Sequence, residues 1–338
     1  MGGDFGPSVT VPASIEFLRI HSNAVLLLVG DSALISPYLD KLEESLLQRL
    51  QIVHTSVHVL NESSPGEALR GAKESSMYIA VNLVKQREVD ACVSGGNTGA
   101  LLMIGRHLLK TIPGISKPAI VAKIPYPLSD GHGLLLDVGA NLNCDARNLQ
   151  EFAIMGAVLW RAEHDDSEPR VALLNIGVEE HKGTEEVRHA ARLLEKSALL
   201  NFVGYIEGNE LYSGKADVVV CDGFAGNLAI KTSEGVVHVV TSVIRRALSG
   251  NILAGLLGLI FSPLMKSLTD RVEPSQYNGA SLLGLQGIIV KSHGNANVRG
   301  FRHAITQAMH EVRSSVPSVI QERMAALDTQ SIDSLQSS

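Results

Sequence analysis

The sequence predicts an α/β protein built on a mostly parallel sheet, and three observations predict it. Short β-branched or aliphatic runs are followed four times by a polar, glycine-bearing loop and then a helical pattern. Hydrophobic residues make up 45% of the chain and aromatic ones only 4%, the aliphatic bias of strands buried on both faces. At 338 residues the chain is long enough for one large α/β unit.

The elements follow in order. Gly2 to Ser8 is a glycine-rich turn with no strand before it, and Val9 to Ile20 reads as a helix capped by Ser8. Ala24 to Val29 is a strand, Leu34 to Leu50 mostly helical, and Gln51 to Leu60 a β-branched strand. Asn61 to Gly66 is a loop and Glu67 to Lys85 a helix. Val89 to Val93 opens the first strand–loop–helix unit, with SGGNTGALL after it. Pro118 to Ile124 is a further strand, ended by Pro125 and Pro127. Leu134 to Leu136, Val171 to Ile176 and Val218 to Val220 open the other three units. Phe202 to Ile206 is a short strand between the last two.

Beyond Val220 the loop Asp222 to Asn227 leads to a helical pattern carrying Leu228, Ile230 and Lys231. Glu234 to Leu248 is a long helix, and Ile252 to Phe261 follows as ten residues without a polar side chain. A bilayer span needs roughly 18 or more. Flanked by Arg245, Arg246 and Lys266, that run reads as an interfacial helix or an acyl-chain contact, with a buried or dimer contact as the alternative. Ile288 to Val290 is the last strand, Phe301 to Val312 the last helix, and the polar end after it is expected to be disordered.

In an open parallel sheet ligands sit at the carboxyl ends of the strands, so the four loops are expected to converge at one edge. Their chemistry is Gly, Asn, Thr, Asp and a Lys in each of two. Such loops hold phosphate, or the oxyanion formed when an acyl carbonyl is attacked, on backbone N–H groups, Asn amides and Lys. His293 is a candidate acid or base.

Other chemistries fare worse. The chain has neither a GxGxxG after a strand nor a GxxxxGK[ST], so dinucleotide and ATP binding find no support. It has no GxSxG elbow. Cys92, Cys144 and Cys221 are scattered and read as ordinary buried thiols of a protein from a reducing cytoplasm. His54 and His58 lie in an extended run and read as surface histidines, so no metal is expected. A net charge of −6 argues against nucleic acid. No signal peptide is visible.

The motifs MGGDFGPS, SGGNTGALL, LDVGANLNCD, LLNIGVEEHKG, CDGFAGNLAIKTSEG, QYNGASLLGLQG and KSHGNAN, in that order, resemble the bacterial phosphate acyltransferase (PlsX) family along nearly the whole chain. That resemblance implies a three-layer α/β sandwich similar to the isopropylmalate dehydrogenase and phosphotransacetylase group. It implies one catalytic domain over 1–325, a protruding helical hairpin near 235–271, and a disordered tail over 326–338. It implies transfer of an acyl group from acyl carrier protein to inorganic phosphate in phospholipid synthesis, with no cofactor. The partners implied are acyl carrier protein, a second copy of the chain, a downstream glycerol-3-phosphate acyltransferase, and peripheral membrane contact from the cytoplasm. Lys182, Asn227, Lys231 and His293 are the expected catalytic residues. Gly2, Gly3, Asp4, Asn97, Thr98, Gly99, Asn141, Asp222 and Gly223 are expected to bind substrate. Phosphotransacetylase-like transfer from acyl-coenzyme A and a non-catalytic membrane-associated scaffold are the alternatives. The family pattern also places a strand directly before MGGD, and a misassigned start codon is the expected reason that none is read here.

Overall fold

The computed structural model describes residues 1–60, 66, 73–126, 131–248 and 274–336. Helix α1 (Pro7–Ile20) precedes strands β1 (Leu26–Gly30) and β2 (Leu50–His54). Helix α2 (Ser76–Gln86), β3 (Ala91–Ser94) and α3 (Thr98–Leu109) follow. Next come β4 (Ala119–Pro125), β5 (His132–Leu136), α4 (Ala146–Glu163), β6 (Arg170–Asn175), α5 (Glu185–Glu195) and β7 (Asn201–Glu207). The described chain closes with β8 (Val218–Val220), α6 (Gly223–Leu248), β9 (Ala280–Leu283), β10 (Ile288–Lys291), α7 (Val298–Arg313) and α8 (Val316–Gln336).

Eight strands form one sheet in the order β3-β10-β9-β4-β5-β8-β6-β7. Alternate residues of each strand face opposite layers. Val121, Leu134, Leu136, Val171 and Val218 pack under α4, α5 and α8, in a core centred on Phe152, Met155 and Ile320. On the other face Ile120, Cys92 and Ile289 meet α2 and α3, and Leu135, Ala172 and Val219 meet Ala225, Ala229 and Ile230 of α6. The result is helix, sheet, helix in three layers.

The sheet corrects one expectation about the site. Pairings β3/β10, β5/β8, β8/β6 and β6/β7 are parallel, but β10/β9, β9/β4 and β4/β5 are antiparallel. Strands β3 and β10 therefore end at the opposite sheet edge from β5, β6 and β8, and the four loops do not leave at one edge. The cause is connection length. β4–β5 and β9–β10 are joined by links too short for the crossover that a parallel pair requires.

Other boundaries shift as well. The stretch Leu34 to Leu50 is broken into short turns, single-turn helices at Ser32–Ile35 and Glu44–Leu47 with a 3-10 turn at Ser36–Tyr38, and β2 stops at His54. The polar end is helical through Gln336. Val316, Ile320, Met324 and Leu327 of α8 recur at helical spacing and bury against the α4 layer. Pro317 sits in the first turn, where its missing N–H is harmless. The apolar run Ile252 to Phe261 lies outside the described residues, as does the part of the expected 235–271 hairpin beyond Leu248.

Strands β1 and β2 form a separate parallel pair. Between β1 and β3 lies a cavity of about 630 Å³, lined by Leu26, Leu28, Cys92, Phe17, Phe301 and Met77, among others. Met1 sits beside Gly30 at the end of β1, and Gly2 beside Gly96 after β3. The terminal ammonium faces this desolvated space, and burial lowers its pKa.

A buried ionisable cluster ties β4, β5 and α7 together. Glu163 accepts from Lys123 at 2.9 Å, His132 at 3.1 Å and Gln307 at 2.7 Å. Burial opposes its charge, but His132 and Lys123 hold the carboxyl down at about 2. Burial pushes Glu311 the other way, up to about 7, against hydrogen bonds from Ser281 and Gln307. A raised carboxyl binds a proton in the folded chain that the unfolded chain has released. Its contribution is present below the unfolded value and is lost as pH rises through about 7. Glu163 contributes above its unfolded value and is lost only toward pH 2. Glu311→Gln is therefore expected to flatten the fall in melting temperature between pH 5 and pH 8, and to melt a few degrees higher than wild type at pH 8. Parallel melting curves across that range would overturn the assignment.

Candidate active site

The site is built from two groups of loops, one at each sheet edge, joined by α6. The first is organised by Asp137, the residue after β5, which is fully buried. Its Oδ1 accepts from the N–H groups of Ile120 (3.0 Å), Gly139 (3.2 Å) and Ala140 (2.9 Å). Its Oδ2 accepts from the Asn141 N–H (2.7 Å) and the Asn141 amide (2.9 Å). Burial raises the carboxyl above its ordinary range, and these hydrogen bonds oppose the rise. The loop amides are consequently turned inward, onto protein. The Asn141 Nδ2 also donates to the Pro118 carbonyl at 2.7 Å, so this side chain ties the loop to the residue before β4.

Helix α6 docks directly on that loop. Asp222 caps it, Oδ1 accepting from the Ala225 N–H at 2.8 Å, and the Gly223 N–H donates to the Asn141 carbonyl at 2.8 Å. A Cβ on Gly223 would stand 2.7 Å from that carbonyl oxygen, and one on Gly226 only 2.0 Å from the Asp137 carbonyl oxygen. The glycines of DGFAGN let the helix approach this closely. The stretch expected as a loop is thus already helical from Gly223. Asn227 lies over Gly139 with its amide exposed and in no hydrogen bond among the described residues. Lys231 stands four residues on, on the same helix face, and pairs with Glu234 at 2.8 Å.

The second group gathers the turn after Met1 and the loops after β3 and β10. The Asp4 N–H donates to the Gly294 carbonyl at 2.8 Å. Gly3, at φ 86°, and Gly2 come so close to Gly294 and Gly96 that a Cβ would collide. Asn97 caps α3, accepting from the Ala100 N–H at 2.9 Å, with Thr98 exposed and Gly99 in the first turn. The His293 N–H donates to Asn278 Oδ1 at 2.9 Å. Desolvation holds the imidazole below the ordinary histidine range; Glu234 acts against this, while Lys291 and Lys231 add to it. The charges of Glu234 and Lys231 thus reach His293, so α6 runs from the Asp137 loop toward the second group.

Lys182, in the loop after β6, pairs with Glu179 at 2.8 Å, and no hydrogen bond or ion pair joins it to Asn227, Lys231 or His293 among the described residues. Burial pushes Cys92 and Cys144 up to about 12 and Cys221 well above the ordinary thiol range, so none is a ready thiolate. Asp137 and Lys291 were not singled out from the sequence. The available signal was a charged residue ending an apolar strand, in LLLD and IIVK. Among the described residues no helix is long and apolar enough to cross a membrane.

The family model for the fatty acid synthesis protein matches residues 1–319. A phosphate acyltransferase of Methylococcus capsulatus is 48% identical over 324 residues, covering 96% of this chain and 95% of its own. One from Shewanella sp. strain W3-18-1 is 45% identical over 327 residues, covering 97% and 95%. Among solved structures, a phosphotransacetylase from Streptococcus pyogenes superposes with a TM-score of 0.57 at 15% identity, over 91% of this chain and 92% of that one. The EutD phosphotransacetylase from Staphylococcus aureus gives 0.55 at 14% identity, over 89% of each. At these identities the two structures share the fold.

Proposed function

The chain belongs to the fatty acid synthesis protein family and is a phosphate acyltransferase, and from that premise we propose that it moves a long acyl group from acyl carrier protein to inorganic phosphate, yielding acyl phosphate for phospholipid synthesis. The observation that carries the reading is the course of α6, which runs from the Asp137 loop toward His293 with Lys231 and with an Asn227 amide that makes no hydrogen bond among the described residues. A phosphate oxygen attacks the thioester carbonyl, a tetrahedral oxyanion forms, and the C–S bond breaks to release the carrier thiol. Asn227 and Lys231 supply donors for the developing charge. Desolvation holds His293 below the ordinary histidine range, so its neutral ring can take the proton that phosphate loses and pass it to the departing sulfur.

The outer surface of α6 supports a large donor. Val236, Val239, Val240 and Val243 are each more than half exposed, an apolar surface for a macromolecular partner. Acyl carrier protein, a second copy of the chain and the membrane surface are its expected occupants, and a glycerol-3-phosphate acyltransferase the expected consumer of the product.

Long-chain acyl–acyl carrier protein, with and without inorganic phosphate, tests the reading, with thiol release and acyl phosphate followed by mass spectrometry. Release is expected to require phosphate. Asn227→Ala is expected to slow it about 100-fold. Phosphate-independent release, or an unchanged Asn227→Ala rate, would sink this account. Faster turnover with a short acyl-coenzyme A would favour that donor instead.

A further inference from the structure

We propose that Lys291, the last residue of β10, is the buried cation that binds the phosphate substrate where the loops after Met1, β3 and β10 meet. The inference rests on the phosphate-transfer reading above and adds a residue to its site. Lys291 is only 9% exposed. Its Nζ donates to the Gly95 carbonyl at 3.3 Å and to the Ser292 carbonyl. Among the described residues it makes no ion pair.

Two carbonyl oxygens replace water only in part around a buried ammonium, and neither carries an opposite formal charge. Burial accordingly lowers Lys291 to about 8, with Asp4 acting against the fall. A dianion seated at the junction of the three loops would supply the missing counter-charge. Gly2, Gly3, Gly95, Gly96 and Gly294 bring backbone to within contact of backbone around it. The charged groups facing the position are Asp4 from the N-terminal turn and His293 on the same loop. Beyond His293 stand Lys231 and Glu234 of α6. Desolvation holds His293 below the ordinary histidine range, whereas Lys291 changes charge near pH 8.

The competing role is a strut that holds the Gly95 loop to β10. A strut would not make phosphate binding depend on pH. Calorimetric titration of the full chain with inorganic phosphate, at pH 7 and pH 9.5, separates the two. Wild-type affinity is expected to fall about 10-fold or more between those values, because the bound dianion favours charged Lys291. Lys291→Met is expected to weaken binding at pH 7 by about 10- to 100-fold and to lose the pH dependence. Lys291→Arg, charged throughout, is expected to hold its affinity at pH 9.5.

Wild-type-like binding by Lys291→Met, or wild-type binding that is flat with pH, overturns the proposal. If Lys291→Met melts without phosphate far below wild type, the arginine variant decides: a decline matching wild type's overturns the proposal, and a flat profile supports it. A wild type that binds phosphate through Lys291 yet forms no acyl phosphate would overturn the transfer reading and leave this inference standing.

Discussion

Replacing Asp137 with alanine is expected to abolish measurable phosphate-dependent turnover and to lower the melting temperature by about 5 °C or more. The carboxylate accepts from four backbone N–H groups, those of Ile120, Gly139, Ala140 and Asn141, and from the Asn141 amide. Alanine leaves these donors facing a cavity. Each unsatisfied buried group costs about 1–3 kcal/mol, and water entering the space offsets part of the sum. A net loss of about 3–5 kcal/mol is therefore expected. The loss of turnover has a separate cause. The same loop supports Asn227 through Gly139 and fixes the start of α6 through the Asn141 carbonyl. Asp137→Asn keeps one acceptor oxygen but sets an NH₂ against donors, so it should fall between alanine and wild type. Calorimetry and the acyl phosphate assay check both effects. Turnover of Asp137→Ala within threefold of wild type would show that the loop does not position α6.

The strands were legible because burial on both faces leaves a continuous aliphatic run. Val218 to Val220 was read to the residue, and the runs at Ala24 and Val89 to within about two. Strand direction was harder to see. Each strand followed by a polar loop looked like one more parallel unit, and the reversal is written only in the short links before His132 and Ile288. That reversal sets the candidate residues at two edges, with α6 between them.

Exposed polar residues such as Asn227 stand out in the sequence as candidates. A polar residue that serves the backbone looks the same in sequence. Asn141 resembles Asn227 in composition and setting, a glycine-rich loop after a strand, yet its amide is used up on Pro118 and Asp137. Lys182 carries the same charge as Lys231 but sits in a loop whose nearest partner is its own Glu179. Asp137 and Lys291 ended apolar strands and were passed over for the loops that follow them. Burial is what distinguishes them, and burial depends on contacts distant in sequence.

Gly226→Ala is expected to reduce turnover at least 100-fold, although alanine is the better helix former. Propensity alone predicts a gain of about 1 kcal/mol inside α6. Packing decides the opposite sign. The new methyl would stand 2.0 Å from the Asp137 carbonyl oxygen and 2.9 Å from Cys221 Sγ. The carbonyl cannot retreat freely, since the Asp137 N–H is bound to the Cys221 carbonyl at 3.0 Å and its carboxylate holds the loop beyond it. The helix must move by an ångström or more, carrying Asn227 and Lys231 with it. A misplacement of about 1 Å costs on the order of 100-fold in rate. Gly235→Ala on the same helix provides the contrast, because nothing lies within 4 Å of its Cβ position. There propensity acts unopposed, and the variant is expected to keep wild-type turnover with unchanged or slightly raised stability. Equal behaviour of the two variants in the acyl phosphate assay would mean that the close approach of α6 to Asp137 does not set the geometry of the site.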